Sequence, residues 1–503
     1  MSEKKEFVLS GKNSVQSETV GSVLCESSSE HVLPDYLPRV QKVLRMETSV
    51  LPPSRYMNTA EVQLSGNLLH TLVYVGEEGE IASAVLPARY ECTVPLAEGT
   101  SPIVAVHMSV DSSAHRLTAP RKLQVRTKLR ARTHLLEARE IVEQQLPSGG
   151  IVGLHRLAGA ADTLCTTVLR SADVSVSDSV ETGSATARPI WCGATAAVQD
   201  ARVMDGGVNV RGDVCVKLLL TDNGKLKAVT KKIPFDTFLD GDVQKNGGVT
   251  AVAYVLSTEA VKEQGSEALA DVVLSVEALV DHPCSIPIVE DAFSETADGK
   301  ISYQTVPTMR LLADRSAVYS VGGSVTKSAA GAVGFVESVD TSGVATVEEV
   351  VAKDGRYTVT GRCMLNTLYA EESGAVSAAD YDVPFKLTID AKTAENAMHF
   401  VTVSLLSART RADGESLVCD MELAVSMRAV ACGEKRAVAV VDYTAPQPCA
   451  QSPYSLSLLY PSGESLWMLA KTHRVAPERL AACNGLEAAY EESPKTDVLL
   501  LEK

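Results

Sequence analysis

Apolar and polar residues alternate along most of this chain, and the clearest run extends from Val208 to Leu220. Val208, Val210, Val214, Val216, Leu218 and Leu220 share one face with Gly212, while Asn209, Arg211, Asp213 and Lys217 take the other. A period of two is that of a half-buried strand. Asn223-Gly224 behind it is a favoured hairpin turn, because both residues tolerate positive φ. The same layout occurs twice more, from Val62 (VQLSGNLLHTLVYVGEEGEIASAVLPARYECTV) and from Tyr357 (YTVTGRCMLNTLYAEESGAVSAADYDVPFKLTI). Gly66, Gly212 and Gly361 sit inside the first strand of each copy, 146 and 149 residues apart, and Gly79, Gly224 and Gly374 mark the turns. Ten residues past each turn glycine come Arg89-Tyr90, Pro234-Phe235 and Pro384-Phe385. Leu274 and Leu423 each lie 62 residues past their copy's first glycine. A glycine in mid-strand marks a bulge or a close backbone approach.

This pattern predicts a mainly β, multidomain chain with three antiparallel β-rich repeats at 35–142, 164–288 and 308–442. An N-terminal segment (1–34) and linkers at 143–163 and 289–307 separate them. Ser175 to Ala187 (SVSDSVETGSATA) reads as a connecting stretch. Helical spacing is sparse; Val40–Val50 (VQKVLRMETSV) and His134–Leu146 (HLLEAREIVEQQL) are the best candidates in the body. The Pro-rich run at 443–453 predicts a linker that lets the last domain, 454–503, move independently. That domain opens with an alternating strand (Tyr454, Leu456, Leu458, Tyr460) and the turn Pro461-Ser462-Gly463. A helix with Leu466, Trp467, Leu469 and Ala470 follows. Pro477 opens a second helix and Gly485 closes it, and Asp497–Leu501 supplies the last strand.

The G-E-S-L-W turn and the closing Asn484-Gly485-Leu486 make this βααβ segment resemble a LysM domain, a module that binds N-acetylglucosamine polymers. The repeated V-x-x-G, turn-glycine and Pro-Phe layout is similar to the SPOCS domain of spore-forming Firmicutes. Tandem copies followed by one LysM resemble the SipL-like family of spore-coat morphogenesis proteins. The resemblance implies a non-enzymatic adaptor in the mother-cell cytoplasm, with its LysM binding a SpoIVA-like coat-assembly ATPase at the forespore surface. Gly463, Glu464 and Ser465, with Asn484, Gly485 and Leu486 across a groove, are the candidate binding residues. The Pro-Gly-Gln that glycan-binding members carry before the last strand is missing, and Glu487, Glu491 and Glu492 line the following loop. Both features point to a protein partner; the alternative is a cell-wall protein that binds peptidoglycan.

Composition narrows the classes. Of 503 residues, 45% are hydrophobic and 22% charged, as in a folded soluble protein. A net charge of −16 argues against a general nucleic-acid binder. No run of about eighteen apolar residues spans a membrane, and the N-terminus has no apolar run fit for a signal peptide. Eleven scattered cysteines with no C-x-x-C pair fit buried thiols in a reducing compartment. The dispersed histidines offer no metal-ligand spacing, no hydrolase motif occurs, and no cofactor is indicated. One charged feature stands out. Lys122, Arg126, Lys128, Arg130 and Arg132 fall on one face of a strand, as a solvated outer face or a landing strip for acidic protein or anionic lipid.

Overall fold

The structure is a computed structural model that describes residues 14–97, 102–140, 153–296, 299–443, 456–486, 490, 492–495 and 499–502. It is mainly β. The first repeat comprises β1 (Ser14–Val32), β2 (Val40–Val50), β3 (Ser54–Met57), β4 (Glu61–Gly76), β5 (Ile81–Pro95), β6 (Ile103–Ala119) and β7 (Lys122–Glu140). The second comprises β8 (Leu154–Arg170), β9 (Val174–Glu181), β10 (Arg188–Met204), β11 (Gly207–Asp222), β12 (Lys225–Asp240), β13 (Gly248–Lys262) and β14 (Glu267–Ser294). The third comprises β15 (Gly299–Thr326), β16 (Phe335–Lys353), β17 (Arg356–Glu371), β18 (Val376–Asp390), β19 (Ala397–Asp413) and β20 (Ser416–Tyr443). The C-terminal module is β21 (Leu456–Leu459), α1 (Leu466–His473), α2 (Pro477–Cys483) and β22 (Leu499–Glu502).

Each repeat packs two antiparallel strand sets face to face; they are separate sheets in the first two repeats, and in the third they join into one six-stranded sheet where β19 pairs with β16 at Thr341 and Ala408. One is the meander that carries the mid-strand glycine: β2-β4-β5 with β3 beside β4, then β10-β11-β12, then β16-β17-β18. The other pairs the repeat's first strand with its last and the last with the one before: β1-β7-β6, β8 and β9 along β14 with β13, and β15-β20-β19. Alternating inward residues of the facing strands form the main core of each repeat, and the first repeat adds a second cluster around Leu72, Tyr74 and Leu123. Even the irregularities repeat. β6, β13 and β19 each bulge opposite Leu129, Leu274 and Leu423, between Val110/Ser112, Val255/Ser257 and Leu405/Ser407. These bulges turn each strand at the same point of the sandwich.

The mid-strand glycines have a common reason. Gly66, Gly212 and Gly361 sit directly opposite Tyr90, Phe235 and Phe385, whose rings lie over them. A Cβ on Gly212 would stand 2.0 Å from the Ala197 carbonyl oxygen and 2.7 Å from the Phe235 ring. On Gly361 it would stand 2.1 Å from the Thr346 carbonyl oxygen and 2.6 Å from the Phe385 ring. The partner strands β10 and β16 bulge beside these glycines, at Val198/Asp200 and Val347/Glu349. In the first repeat the partner strand breaks instead, between Val50 and Ser54, and the Tyr90 hydroxyl donates to the Leu51 carbonyl at 2.8 Å. Arg89-Tyr90 in place of Pro-Phe therefore goes with a different edge at this point.

Equivalent residues of the three repeats then converge. Val73, Leu219 and Leu368, each seven residues past its glycine, meet in a single apolar cluster. Opposite them in register stand Arg45, Trp191 and Asp340, each just past a bulge. The Arg45 guanidinium lies 5.7 Å from the Trp191 ring and 2.6 Å from the Asp340 carboxylate, which Lys217 also reaches at 3.0 Å. The repeats thus pack around a common pseudo-threefold axis. A second polar cluster joins them through the other sheets. Arg428 of β20 pairs with Glu18 of β1 at 2.5 Å and with Asp281 of β14 at 2.7 Å, and Glu18 also meets His134 of β7 at 2.5 Å.

Several expectations need correction. Val40–Val50 is strand, not helix: two register shifts, at Val40/Lys42 and Val43/Arg45, add residues that turn a period of two into helix-like spacing. His134 lies in β7, where His134, Leu135 and Leu136 are all buried, Leu135 in the first repeat's core and His134 against Phe400 of the third repeat; residues 141–152 lie outside the described residues. The expected linker at 289–307 is largely strand, with β14 running to Ser294 and β15 starting at Gly299. β1 lies within the expected N-terminal segment, so the first repeat starts one strand earlier than its sequence pattern suggests, while β8 and β15 already begin within the expected linkers, ahead of the expected starts at 164 and 308. The first part of Ser175–Ala187, read as a connection, is strand: β9 (Val174–Glu181) is held along β14.

Candidate functional site

The C-terminal module has the order strand, helix, helix, strand, with β21 and β22 antiparallel. Gly463 takes a φ of +90°, and Ser465 caps α1 by accepting the Met468 N–H at 3.2 Å. Arg474 in left-handed conformation ends α1, and Pro477 opens α2 as its first residue. Asn484 follows α2 and donates to the Leu480 carbonyl at 2.8 Å, while Gly485 turns the chain at φ +61°. The loop after α2 folds back on the start of α1. Leu466 and Trp467 N–H groups donate to Glu492 and Tyr490 carbonyls, and the Ser493 hydroxyl donates to the Glu464 carbonyl. Of the candidate groove, Gly463, Glu464 and Gly485 are exposed, Ser465 and Asn484 half-buried, and Leu486 packs partly against the module's core. Glu487 and Glu491 lie outside the described residues.

Sequence reading missed where this module sits. Trp467 is 3% exposed, and part of what buries it belongs to the second repeat. Its ring meets Phe293 at 5.0 Å edge-to-face, and its indole N–H donates to the Asp291 carboxylate at 2.9 Å. Lys471, one turn further along α1, bonds the same carboxylate at 2.6 Å. His155 of β8 lies between Glu295 at 2.6 Å and Glu478 of α2 at 3.6 Å, and Leu157 packs against the apolar cluster. Burial pushes the Asp291 carboxyl up, but Lys471 and the Trp467 indole outweigh it and hold it below the ordinary value. The module is docked on the end of the β8–β14 ribbon. Its predicted independence is corrected by this contact, although the Pro-rich segment from 444 to 453 lies outside the described residues. No local motif announces the dock, because Asp291 and Trp467 are 176 residues apart.

Trp467→Ala should lower the stability of the docked module by about 3–5 kcal/mol, the range for buried aromatic truncations. Asp291→Asn should leave the module folded and free it for limited proteolysis. The dock's carboxylate contribution is present above the ordinary Asp value and lost as pH falls through the depressed one, so acid should release the module before it unfolds. Equal protease resistance of wild type and Asp291→Asn at neutral pH would show that the dock does not depend on this carboxylate.

The basic strand face divides in two. Lys122, Arg126 and Lys128 are exposed, with Arg126 paired to Glu26 at 3.0 Å. Arg130 is paired to Asp111 at 2.6 Å. Arg132 turns into the contact with the third repeat, donating to the Val347 carbonyl at 3.0 Å and to that of Val401. Burial and the neighbouring Arg130 charge lower its pKa. Clefts open between repeat pairs, about 320 Å³ beside Trp191 and Glu47, about 460 Å³ beside His115 and Asp380, and about 900 Å³ beside Lys232 and Arg409. Among the described residues no group of three or more His, Cys, Asp or Glu could hold a metal ion, and no helix is long and apolar enough to cross a membrane. No family model, curated protein or solved structure matches this chain.

Proposed function

We propose that this chain is a non-enzymatic adaptor of spore-coat morphogenesis, with SPOCS-like repeats as its body and a LysM-like module that captures a coat-assembly ATPase at the forespore surface. The observation that carries this reading is the way the module is held. Its Trp467–Lys471 side is fixed to the body, while Leu458, Tyr460, Glu464 and Met468 remain exposed. A module clamped on one side and open on the other suits transmission of a partner's position to a large scaffold. Exposed apolar side chains beside a carboxylate fit a protein surface better than a neutral sugar. The six candidate residues, Gly463, Glu464, Ser465, Asn484, Gly485 and Leu486, border this open side in the reading.

The test is capture by the full chain of a purified coat-assembly ATPase of the SpoIVA type, against binding to purified peptidoglycan. Glu464→Arg and Met468→Glu are the informative variants, because both side chains are exposed; Leu486 also supports the module's core, so its substitution would report folding as well. The expected result is loss of ATPase capture of at least tenfold with an unchanged melting curve, since interface substitutions that matter cost more than about 1 kcal/mol. Peptidoglycan binding that these variants abolish, with no ATPase capture by wild type, would make the glycan reading the correct one.

A further inference from the structure

The outer face of the β1-β7-β6 sheet in the first repeat is unlike the rest of this acidic chain. Even-numbered residues of β1 from Ser22 to Val32 and of β7 from Lys122 to Arg130 point outward, in register. Leu24 faces Arg130, Glu26 faces Lys128, Ser28 faces Arg126, and Val32 faces Lys122. On the far side of β7, Ala114 faces Arg126 and Arg116 faces Gln124. Arg116, Lys122, Arg126, Lys128 and Arg130 stand against the carboxylates of Glu26, Glu30 and Asp111 on this face. Among the described residues Arg116, Lys122 and Lys128 have no ion-pair partner, so their charge is available.

Apolar side chains are interleaved with these cations and are not covered. Leu24 is 58% and Val32 62% exposed. Tyr36, on the loop that follows β1, is 85% exposed. That loop is braced rather than loose. Arg121 donates to the carbonyls of Pro34 at 2.7 Å and Asp35 at 3.2 Å, and the Leu33 and Val40 N–H groups bond back to Arg121 and Pro120. It holds Tyr36 at the end of the sheet where Val32 pairs with Lys122. A polar rim with only charges would suit an acidic protein or peptide. Unpaired cations with exposed aliphatic and aromatic groups between them match a lipid interface, where cations hold phosphates and apolar side chains enter the headgroup region.

We infer that this face is a peripheral docking surface for an anionic lipid bilayer, engaged through Arg116, Lys122, Lys128 and the Tyr36 loop. The surface lies on a different repeat from the C-terminal module's dock, so it acts independently of partner capture by that module. Its cations offset, at close range only, the repulsion that the chain's net charge of −16 would otherwise exert. Binding should therefore be steep in lipid charge and in salt.

The experiment is co-sedimentation of the full chain with phosphatidylcholine vesicles, with and without phosphatidylglycerol, at low and high salt. Wild type should bind the anionic vesicles only, and high salt should release it. Each cation is worth about 1 kcal/mol near such a surface, so Lys122→Ala with Lys128→Ala should weaken binding on the order of thirtyfold. Both side chains are exposed strand positions, and an unchanged thermal melt would show that the fold is intact. Tyr36→Ala should weaken binding several-fold while leaving the salt dependence in place. Equal binding to neutral vesicles, wild-type binding by the double variant, or binding to soluble polyglutamate as tight as to the anionic vesicles would each overturn the proposal. The last result would identify an acidic polypeptide as the partner instead.

Discussion

Arg428→Ala should destabilise the chain by about 3–5 kcal/mol, because it leaves two buried carboxylates facing each other without their cation. Arg428 is 2% exposed and brings the third repeat's cation to a cluster that carboxylates of the other two repeats complete. Its guanidinium makes a two-pronged contact with Asp281, Nε and Nη2 each at 2.7 Å, and its Nη1 meets Glu18. Thr166 donates to Asp281 at 2.6 Å, and Gln16 pairs with the Thr166 backbone through both its amide atoms. Burial alone would raise the Glu18 pKa, but the His134 hydrogen bond and the Arg428 charge overcome it and hold it at about 2. The sign follows. A carboxyl depressed in the folded state contributes stability that is complete above its ordinary value of 4.5 and is lost as pH falls toward about 2. Urea melts of wild type should weaken across that window, and Arg428→Ala should flatten the dependence. Replacing Glu18, Asp281 and Arg428 together by apolar residues should recover most of the loss, as it does where such clusters mainly specify how parts fit. A loss under about 1 kcal/mol for Arg428→Ala would mean that water reaches the cluster.

How much of this could be read beforehand depended on whether a physical constraint left a local trace. The meander strands were legible because β4, β11 and β17 keep one face buried along most of their length, and the alternation gives way toward their ends, where Leu72–Tyr74, Leu218–Leu220 and Thr367–Tyr369 are buried on both faces. The strands that open each repeat were not. Ser14–Val32 carries six serines, and it pairs with β7 along a sheet edge where small polar residues suffice. Bulges hid β2, since Leu44, Arg45 and Thr48 are buried at spacings that mimic a helix turn. The axis left only a faint trace. Val73, Leu219 and Leu368 are apolar residues on the face opposite each strand's core set, and only the structure shows them sharing one cluster. The same holds for the C-terminal site. Gly463, Ser465 and Pro477 announce turns and helix starts through local backbone demands, whereas Asp291 gives no sign that Trp467 will find it. The basic stripe was visible as a stripe. That Arg132 points into an interface and Lys128 into solvent depends on which part of β7 the other repeats cover.

Gly361→Ala should be among the most damaging single-methyl changes in the chain, on the order of 3 kcal/mol, and more severe than Gly66→Ala. The difference lies in what the new methyl meets. At Gly361 the nearest atom is the Thr346 carbonyl oxygen at 2.1 Å, a backbone atom fixed by the bulge in β16, and the Phe385 ring follows at 2.6 Å. At Gly66 the three nearest atoms all belong to the Tyr90 side chain, its hydroxyl oxygen and two ring carbons, at 2.5 to 2.7 Å. A side chain can move aside; a laddered carbonyl cannot without breaking its sheet. Removing the ring should therefore rescue one site and not the other. Tyr90→Leu with Gly66→Ala should be more stable than the two separate losses predict, because the methyl occupies space that the ring vacates. Phe385→Leu with Gly361→Ala should show little such coupling, since the carbonyl contact remains. Denaturant melts of the four single and two double variants measure both couplings. Equal rescue at the two sites would show that the ring alone demands glycine and that the bulges in β10 and β16 have another cause. Rescue confined to the first repeat would tie the glycine to the local backbone of each repeat, and would explain why Tyr90 with its hydroxyl on Leu51 serves where the strand breaks.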